Sequence, residues 1–157
     1  DLEAEAQLRG VRLDLEIGDG PRTVWVDPDP VRHAFEALTR NAMEASPTGR
    51  TIRISARFEA QALHWTVRDE GEGIDPNSSA HLLDPFYCGR QAGRGLGLGL
   101  PRVARAIERL GGTLRWRSRP GQGTSFHLQI PLITPAQHQG GEVPTTPVPL
   151  AGSRLPA

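Results

Sequence analysis

The chain has 157 residues, enough for one domain with a real core, and its 18 basic residues, all arginine, balance 18 acidic ones. Nothing in that balance argues for nucleic acid or a membrane surface as a partner, and an aromatic content of 5% argues against base-stacking platforms. No run approaches the ~20 apolar residues of a membrane span, no secretory signal is visible, and the lone Cys88 excludes an internal disulfide framework and fits a reducing compartment.

Residues 1–10 read as a linker, and Asp1 in place of methionine fits a piece of a longer protein. Val11 to Ile17 alternates apolar and polar residues as a half-buried strand does. Gly18-Asp19-Gly20-Pro21 is turn chemistry and Thr23 to Val26 a second strand, so the two are expected to pair as a hairpin. Asp29 then suits an N-cap and Pro30 a first helical position. Val31, Ala34, Phe35, Leu38, Ala42 and Ala45 form the apolar face of a helix expected to end near Ser46-Pro47-Thr48-Gly49. Asn41 sits at the edge of that face; a solvent-facing residue and a functional one are equally good readings of the helix alone.

Thr51 to Phe58 and Leu63 to Val67 predict an antiparallel pair that runs into Asp69-Glu70-Gly71-Glu72-Gly73-Ile74-Asp75. An acid at a strand end before a glycine-punctuated turn either presents a carboxylate to a ligand or is a solvated surface turn. If it is a site, Gly71 and Gly73 leave room for a flat ring against the backbone. Residues 76–96 hold only a short helix around Ser78 to Leu83 and otherwise lack periodicity, the pattern of a functional lid. Arg90 and Arg94 near its end either pair with phosphate oxygens or are ordinary surface arginines.

Gly93-Arg94-Gly95-Leu96-Gly97-Leu98-Gly99-Leu100 is the most distinctive stretch. Glycine at alternate positions ahead of a helix lets backbone N–H groups and the helix dipole meet an anion, and a polyphosphate suits the site. A P-loop is excluded by the absence of lysine, and a dinucleotide fingerprint by the strict alternation without a preceding strand. The helix from Leu98 buries Leu100, Val103, Ala104, Ile107 and Leu110 and stops at Gly111-Gly112. Thr113 to Ser118 and Thr124 to Ile130 are two more strands joined at Pro120-Gly121-Gln122-Gly123, with Arg115, Arg117 and Arg119 on one solvated face. The five histidines show no metal-ligand spacing. Past Leu132 a Pro/Gly-rich tail, 133–157, reads as flexible and extended.

Four boxes stand in the order of the ATP-binding catalytic domain of bacterial sensor histidine kinases, within the GHKL ATPase superfamily. Leu38-Thr39-Arg40-Asn41-Ala42-Met43-Glu44-Ala45 resembles the N box, Asp69 to Ile74 the first glycine box, Asp84-Pro85-Phe86-Tyr87 the F box, and Gly93 to Leu100 the second glycine box. Gly121-x-Gly-Thr124-x-Phe126 and Ile130-Pro131-Leu132 close the pattern; the resemblance covers residues from about 10 to 132, and the ATP-binding domain it implies spans 11–132.

The resemblance implies an α/β two-layer sandwich, a mixed and largely antiparallel sheet with helices on one face. It implies ATP and Mg²⁺ as ligands, with Asn41 on the metal and Asp69 accepting from the adenine amino group. Thr124 would support the adenine contact, Ile74 would pack near the base, and Glu44, Ala45, Gly71, Gly73 and Phe86 would complete the pocket. Gly93, Arg94, Gly95, Leu96, Gly97, Leu98 and Gly99 would hold the phosphates, with Arg90 as a basic lid residue acting in catalysis beside Asn41. One departure is Ala37, one turn before Asn41, where many relatives carry Asn or the Glu that activates water; Glu36 is turned ~100° away. The implied function is phosphoryl transfer to a histidine on a separate dimerisation domain, with a response regulator downstream. The implied setting is cytoplasmic, a monomeric fragment of a homodimeric parent that is either soluble or membrane-anchored. The alternatives are a catalytically weak regulatory nucleotide-binding module and a GHKL ATPase that drives conformational change.

Overall fold

The computed structural model describes residues 1–20, 23–59, 61–87, 97–132 and 147–149. Helix α1 (Leu2–Arg9) occupies the stretch that read as a linker; Asp1 caps it through the Glu3 N–H, and Gly10, at φ +66°, ends it in the left-handed conformation. Glu5 on α1 pairs with Arg40 at 3.2 Å, and Ala6 is buried in the core.

Strand β1 (Arg12–Ile17) and β2 (Thr23–Trp25) do not form the expected hairpin. β1 pairs parallel with β3 (Thr51–Glu59), Leu13 opposite Ile52, whereas β2 pairs antiparallel with β7 (Pro147–Pro149), a short strand inside the proline-rich tail. The reason lies in the turn. Gly18 N–H donates to the Ala56 carbonyl at 2.8 Å, and Gly20 passes so close to the Phe58 ring that a Cβ there would overlap it, so the chain does not reverse along β1. Leu15 and Ile17 of this edge strand stay about half exposed.

The connection from β1 to β3 runs through α2 (Pro28–Ala45), the crossover that a parallel pair requires. Asp27, not Asp29, caps α2: its carboxylate accepts from the Asp29 N–H, with Pro28 at the first helical position. The sequence repeats Asp-Pro, and the first copy caps the helix.

β3 and β4 (Ala62–Arg68) form the expected antiparallel pair; β6 (Gly123–Pro131) lies beside β4, and β5 (Thr113–Arg119) takes the far edge, giving the order β1-β3-β4-β6-β5. Side chains alternate across this sheet. Ile52, Ile54, Leu63, Trp65, Val67, Phe126, Leu128 and Ile130 turn to the covered face, where they meet Ala34, Leu38, Ala42 and Met43 of α2 and Val103 and Ile107 of α4 (Gly99–Arg109). Phe35 stacks on Trp65 with ring centroids 4.8 Å apart. Arg53, Arg57, Arg68, Arg115, Arg117 and Arg119 project from the other face into solvent. This is the expected two-layer sandwich. Among the described residues, three polar ones are buried, Thr39, Asp69 and Thr124. Two of those three are candidate site residues.

Candidate functional site

Asp69 lies just past the end of β4, where the ladder with β6 continues by one more bond from Asp69 N–H to the Thr124 carbonyl at 2.9 Å. Its side chain is 2% exposed, and its Oδ1 accepts from Gly71 N–H at 2.9 Å and Thr124 N–H at 3.1 Å. A buried carboxylate is costly to desolvate, and two backbone donors offset part of that cost while fixing its direction. The solvated-turn reading of this acid is therefore excluded.

The turn after Asp69 is wedged between two other parts of the chain. A Cβ at Gly71 would overlap the Ala45 carbonyl at the end of α2, and one at Gly73, whose φ is +72°, would overlap the Arg119 carbonyl. Protein packing by itself therefore requires glycine at both positions. Backbone bonds from Glu72 N–H to Ala45 O at 3.4 Å and from Gly121 N–H to Glu72 O at 2.7 Å hold the same arrangement. Ile74 N–H donates to the Ser118 hydroxyl at 2.8 Å. Sequence reading passed over Ser118. Its signal was a polar residue on the covered side of β5, in line with Leu114 and Trp116.

On α2, Asn41 is half-buried one turn before Ala45, and its amide makes no hydrogen bond with any described residue. Ala37, a turn earlier, packs against the core. Glu36 is directed to Arg40, at 3.5 Å, as its rotation around the helix requires. Glu44 is half-buried beside Ala45.

Asp75 caps the short helix α3 (Pro76–Ala80). Its carboxyl is held below the usual range, first by the Ser78 hydroxyl and then by backbone N–H groups. His81 and Asp84 lie 2.7 Å apart, and the His81 ring packs on Tyr87. Phe86 is 75% exposed and sits at φ +67°, a conformation side chains other than glycine rarely adopt. Its N–H donates to Gly97 O at 3.1 Å, and a Cβ on Gly97 would lie 2.6 Å from the Tyr87 carbonyl. The F-box segment and the end of the second glycine box therefore touch. Leu98 is the N-cap of α4 and supplies no side-chain bond, while a Cβ on Gly99 would meet nothing within 4 Å. The described residues give no reason for glycine at 99. Arg90, Gly93, Arg94, Gly95, Leu96 and Cys88 lie outside the described residues.

An open groove of about 680 Å³ reaches Asp69, Ser118 and Thr124 and is also lined by Trp116, whose indole N–H donates to Ser79 Oγ at 2.9 Å. A second hollow of about 580 Å³, between the start of α2 and the end of α4, is lined mainly by charged groups such as Asp29, Arg32 and Arg109 and contains none of the predicted site residues. The first groove holds the buried acid together with Thr124; Asn41, Gly71, Gly73 and Ile74 do not line it.

Residues 26–134 match the family described as histidine kinase-, DNA gyrase B- and HSP90-like ATPases. The chain belongs to this family. It is 33% identical over 129 residues to the alginate biosynthesis sensor protein KinB of Pseudomonas aeruginosa, covering 82% of this chain and 22% of that protein. It is 35% identical over 121 residues to the sensor protein PfeS of the same species, covering 76% of this chain and 27% of that one. The chain thus spans less than a third of the length of these relatives. The solved catalytic domain of histidine kinase ThkA has the same fold, with a TM-score of 0.73 at 23% identity, covering 83% of this chain and 84% of that one. Within the family, the chain is an ATP-binding catalytic domain of the sensor histidine kinase type.

Proposed function

We propose that this domain binds Mg-ATP and transfers the γ-phosphoryl group to a histidine carried on a separate dimerisation domain, from which a response regulator is phosphorylated. The observation that carries the reading is the buried Asp69–Thr124 pair at the mouth of the groove. Asp69 would accept from the adenine amino group, Thr124 would support that contact, and Ile74 would pack against the base.

Magnesium fits the residues present. Among the described residues no three acidic, histidine or cysteine side chains converge on a point, whereas Asn41 offers one amide oxygen without a protein partner. A hard cation that keeps its waters and takes most of its ligands from phosphate needs no more than this. When bound, it would neutralise phosphate charge. Gly97, Leu98 and Gly99 stand at the start of α4, where backbone N–H groups favour anions. Gly93, Arg94, Gly95 and Leu96 would extend that cradle, with Arg90 over the phosphates and Glu44, Ala45 and Phe86 at its margin. The domain's contribution is positioning and charge stabilisation. A neutral imidazole has no proton to lose before it attacks, so Ala37 in place of a general base is compatible with the reaction.

The same alanine favours a second reading, a nucleotide-binding regulatory module with weak chemistry. As part of the same proposal, this part of the parent works in the cytoplasm; among the described residues no helix is long and apolar enough to cross a membrane.

Calorimetry of ATP binding with and without magnesium tests the site. Asp69→Asn should weaken binding at least a hundredfold, and Asn41→Ala should remove its magnesium dependence. Undiminished binding by Asp69→Asn sinks the assignment. Phosphorylation of a supplied dimerisation domain then separates the kinase from the regulatory module.

A further inference from the structure

Ser118 occupies the covered side of β5, and its hydroxyl has three partners. It donates to the Gly123 carbonyl at 3.1 Å, accepts from Ile74 N–H at 2.8 Å and lies 2.9 Å from Thr124 Oγ1. A serine hydroxyl has one proton and two lone pairs. The Ser118–Thr124 contact by itself allows either direction, but the Gly123 carbonyl can only accept; with the Ser118 proton given to it and one lone pair taken by Ile74 N–H, the remaining lone pair receives the Thr124 proton. Thr124 Oγ1 is left with only lone pairs to offer the groove. Beside it stands the Asp69 carboxylate, which when ionised is also an acceptor only.

We propose that Ser118 is a positioning residue that sets the hydrogen-bond polarity of the base site: by holding the Thr124 proton it creates an acceptor-only wall that selects a purine with a 6-amino donor over one with a 6-oxo acceptor. The inference rests on the adenine reading of Asp69 and Thr124. Ser118 need not touch the nucleotide. It acts through Thr124 and through the Ile74 turn, and it ties the β5–β6 hairpin to the first glycine box. A site with fixed acceptors rejects a ligand that presents another acceptor more strongly than a site whose hydroxyl can rotate, because the mismatched groups stay unpaired.

The test compares calorimetric affinities for ATP and for inosine triphosphate, which differ in the 6-substituent, in the native chain, Ser118→Ala, Ser118→Thr and Asp69→Asn. Ser118→Ala frees the Thr124 proton and should cut the preference for ATP about tenfold, mostly by improving inosine triphosphate binding. Ser118→Thr keeps the hydroxyl and should retain the native preference. If Ser118→Ala weakens both nucleotides by one factor, Ser118 is only a structural brace and the proposal fails; it fails equally if neither affinity moves. Should the alanine variant not fold, Ser118→Cys, nearly isosteric and a weaker hydrogen-bonding group, is read by the same criteria. A native chain without preference for ATP overturns the adenine reading itself. Preference lost in Asp69→Asn but kept in Ser118→Ala overturns the Ser118 proposal alone.

Discussion

The two ends of the site are built in opposite ways. At the base end the polar groups are already engaged: Asp69 Oδ1 takes two N–H groups, Ser118 makes three bonds, and Gly71 and Gly73 are wedged against the carbonyls of Ala45 and Arg119. At the end assigned to the phosphates, Gly97 packs against the Phe86–Tyr87 segment, but the other groups are less committed. Asn41 has no partner among the described residues, the α4 N-cap makes no side-chain bond, and Gly99 faces open space. One end is rigid before any ligand arrives, which lowers the ordering cost of recognising a flat base. The other keeps its donors for the ligand. Mutations at the two ends should therefore separate stability from affinity.

The largest effect expected is at the rigid end. Gly73→Ala forces a Cβ into the Arg119 carbonyl at a positive φ, and should cost about 3 kcal/mol of stability in urea unfolding. A loss below about 0.5 kcal/mol would show that the turn is not wedged as described. Gly99→Ala is the counterpart. Its Cβ meets no protein atom and the position is helical, so stability should hold or rise by up to about 1 kcal/mol. ATP affinity should nevertheless fall about tenfold if the phosphates lie against this backbone. Equal affinity in both proteins would remove Gly99 from the site.

The smallest effect belongs to neither end. His127, on the solvent face of the sheet with its ring nitrogen 3.1 Å from Thr66 Oγ1, is held below its ordinary value of 6.5 by partial burial and then by the Arg117 charge. A histidine whose folded pKa is depressed stabilises the fold above 6.5, and that contribution is lost as pH falls through the lower folded value. His127→Gln should flatten the fall in stability between pH 7 and roughly 5, by well under about 1 kcal/mol because the ring is largely solvated. Thermal melts across that window, with and without the substitution, measure the difference. A steeper fall in the variant would contradict the sign.

Much of the architecture was legible because it follows from local periodicity. Leu38 and Ala42 mark the core face of α2, Val103 and Ile107 that of α4, and the alternation in Thr51–Glu59 and Gly123–Pro131 separates buried from solvated sides. The errors came where a choice depended on distant residues. Two alternating segments around a glycine turn look like a hairpin, yet the contacts of Gly18 and Gly20 with β3 send β2 away from β1. Two Asp-Pro pairs offer two caps, and the sequence does not say which is used. The glycines of the first box stand out in the sequence, but the Ala45 and Arg119 carbonyls that crowd them come from other parts of the chain.

The sequence by itself determined the family and singled out the acid proposed for the base. Four motifs in fixed order reflect chemistry that tolerates few residue types, and Asp69 at a strand end needs no coordinates to be noticed. Tertiary structure alone decided which polar groups are spent and which remain available. Asp69 is buried and aimed, the Ser118 and Thr124 hydroxyls meet each other, and Asn41 is left free of protein partners among the described residues. A hydrogen bond depends on where two groups meet in space, and segments as far apart in the chain as residues 69 and 124 meet only once the sheet has formed.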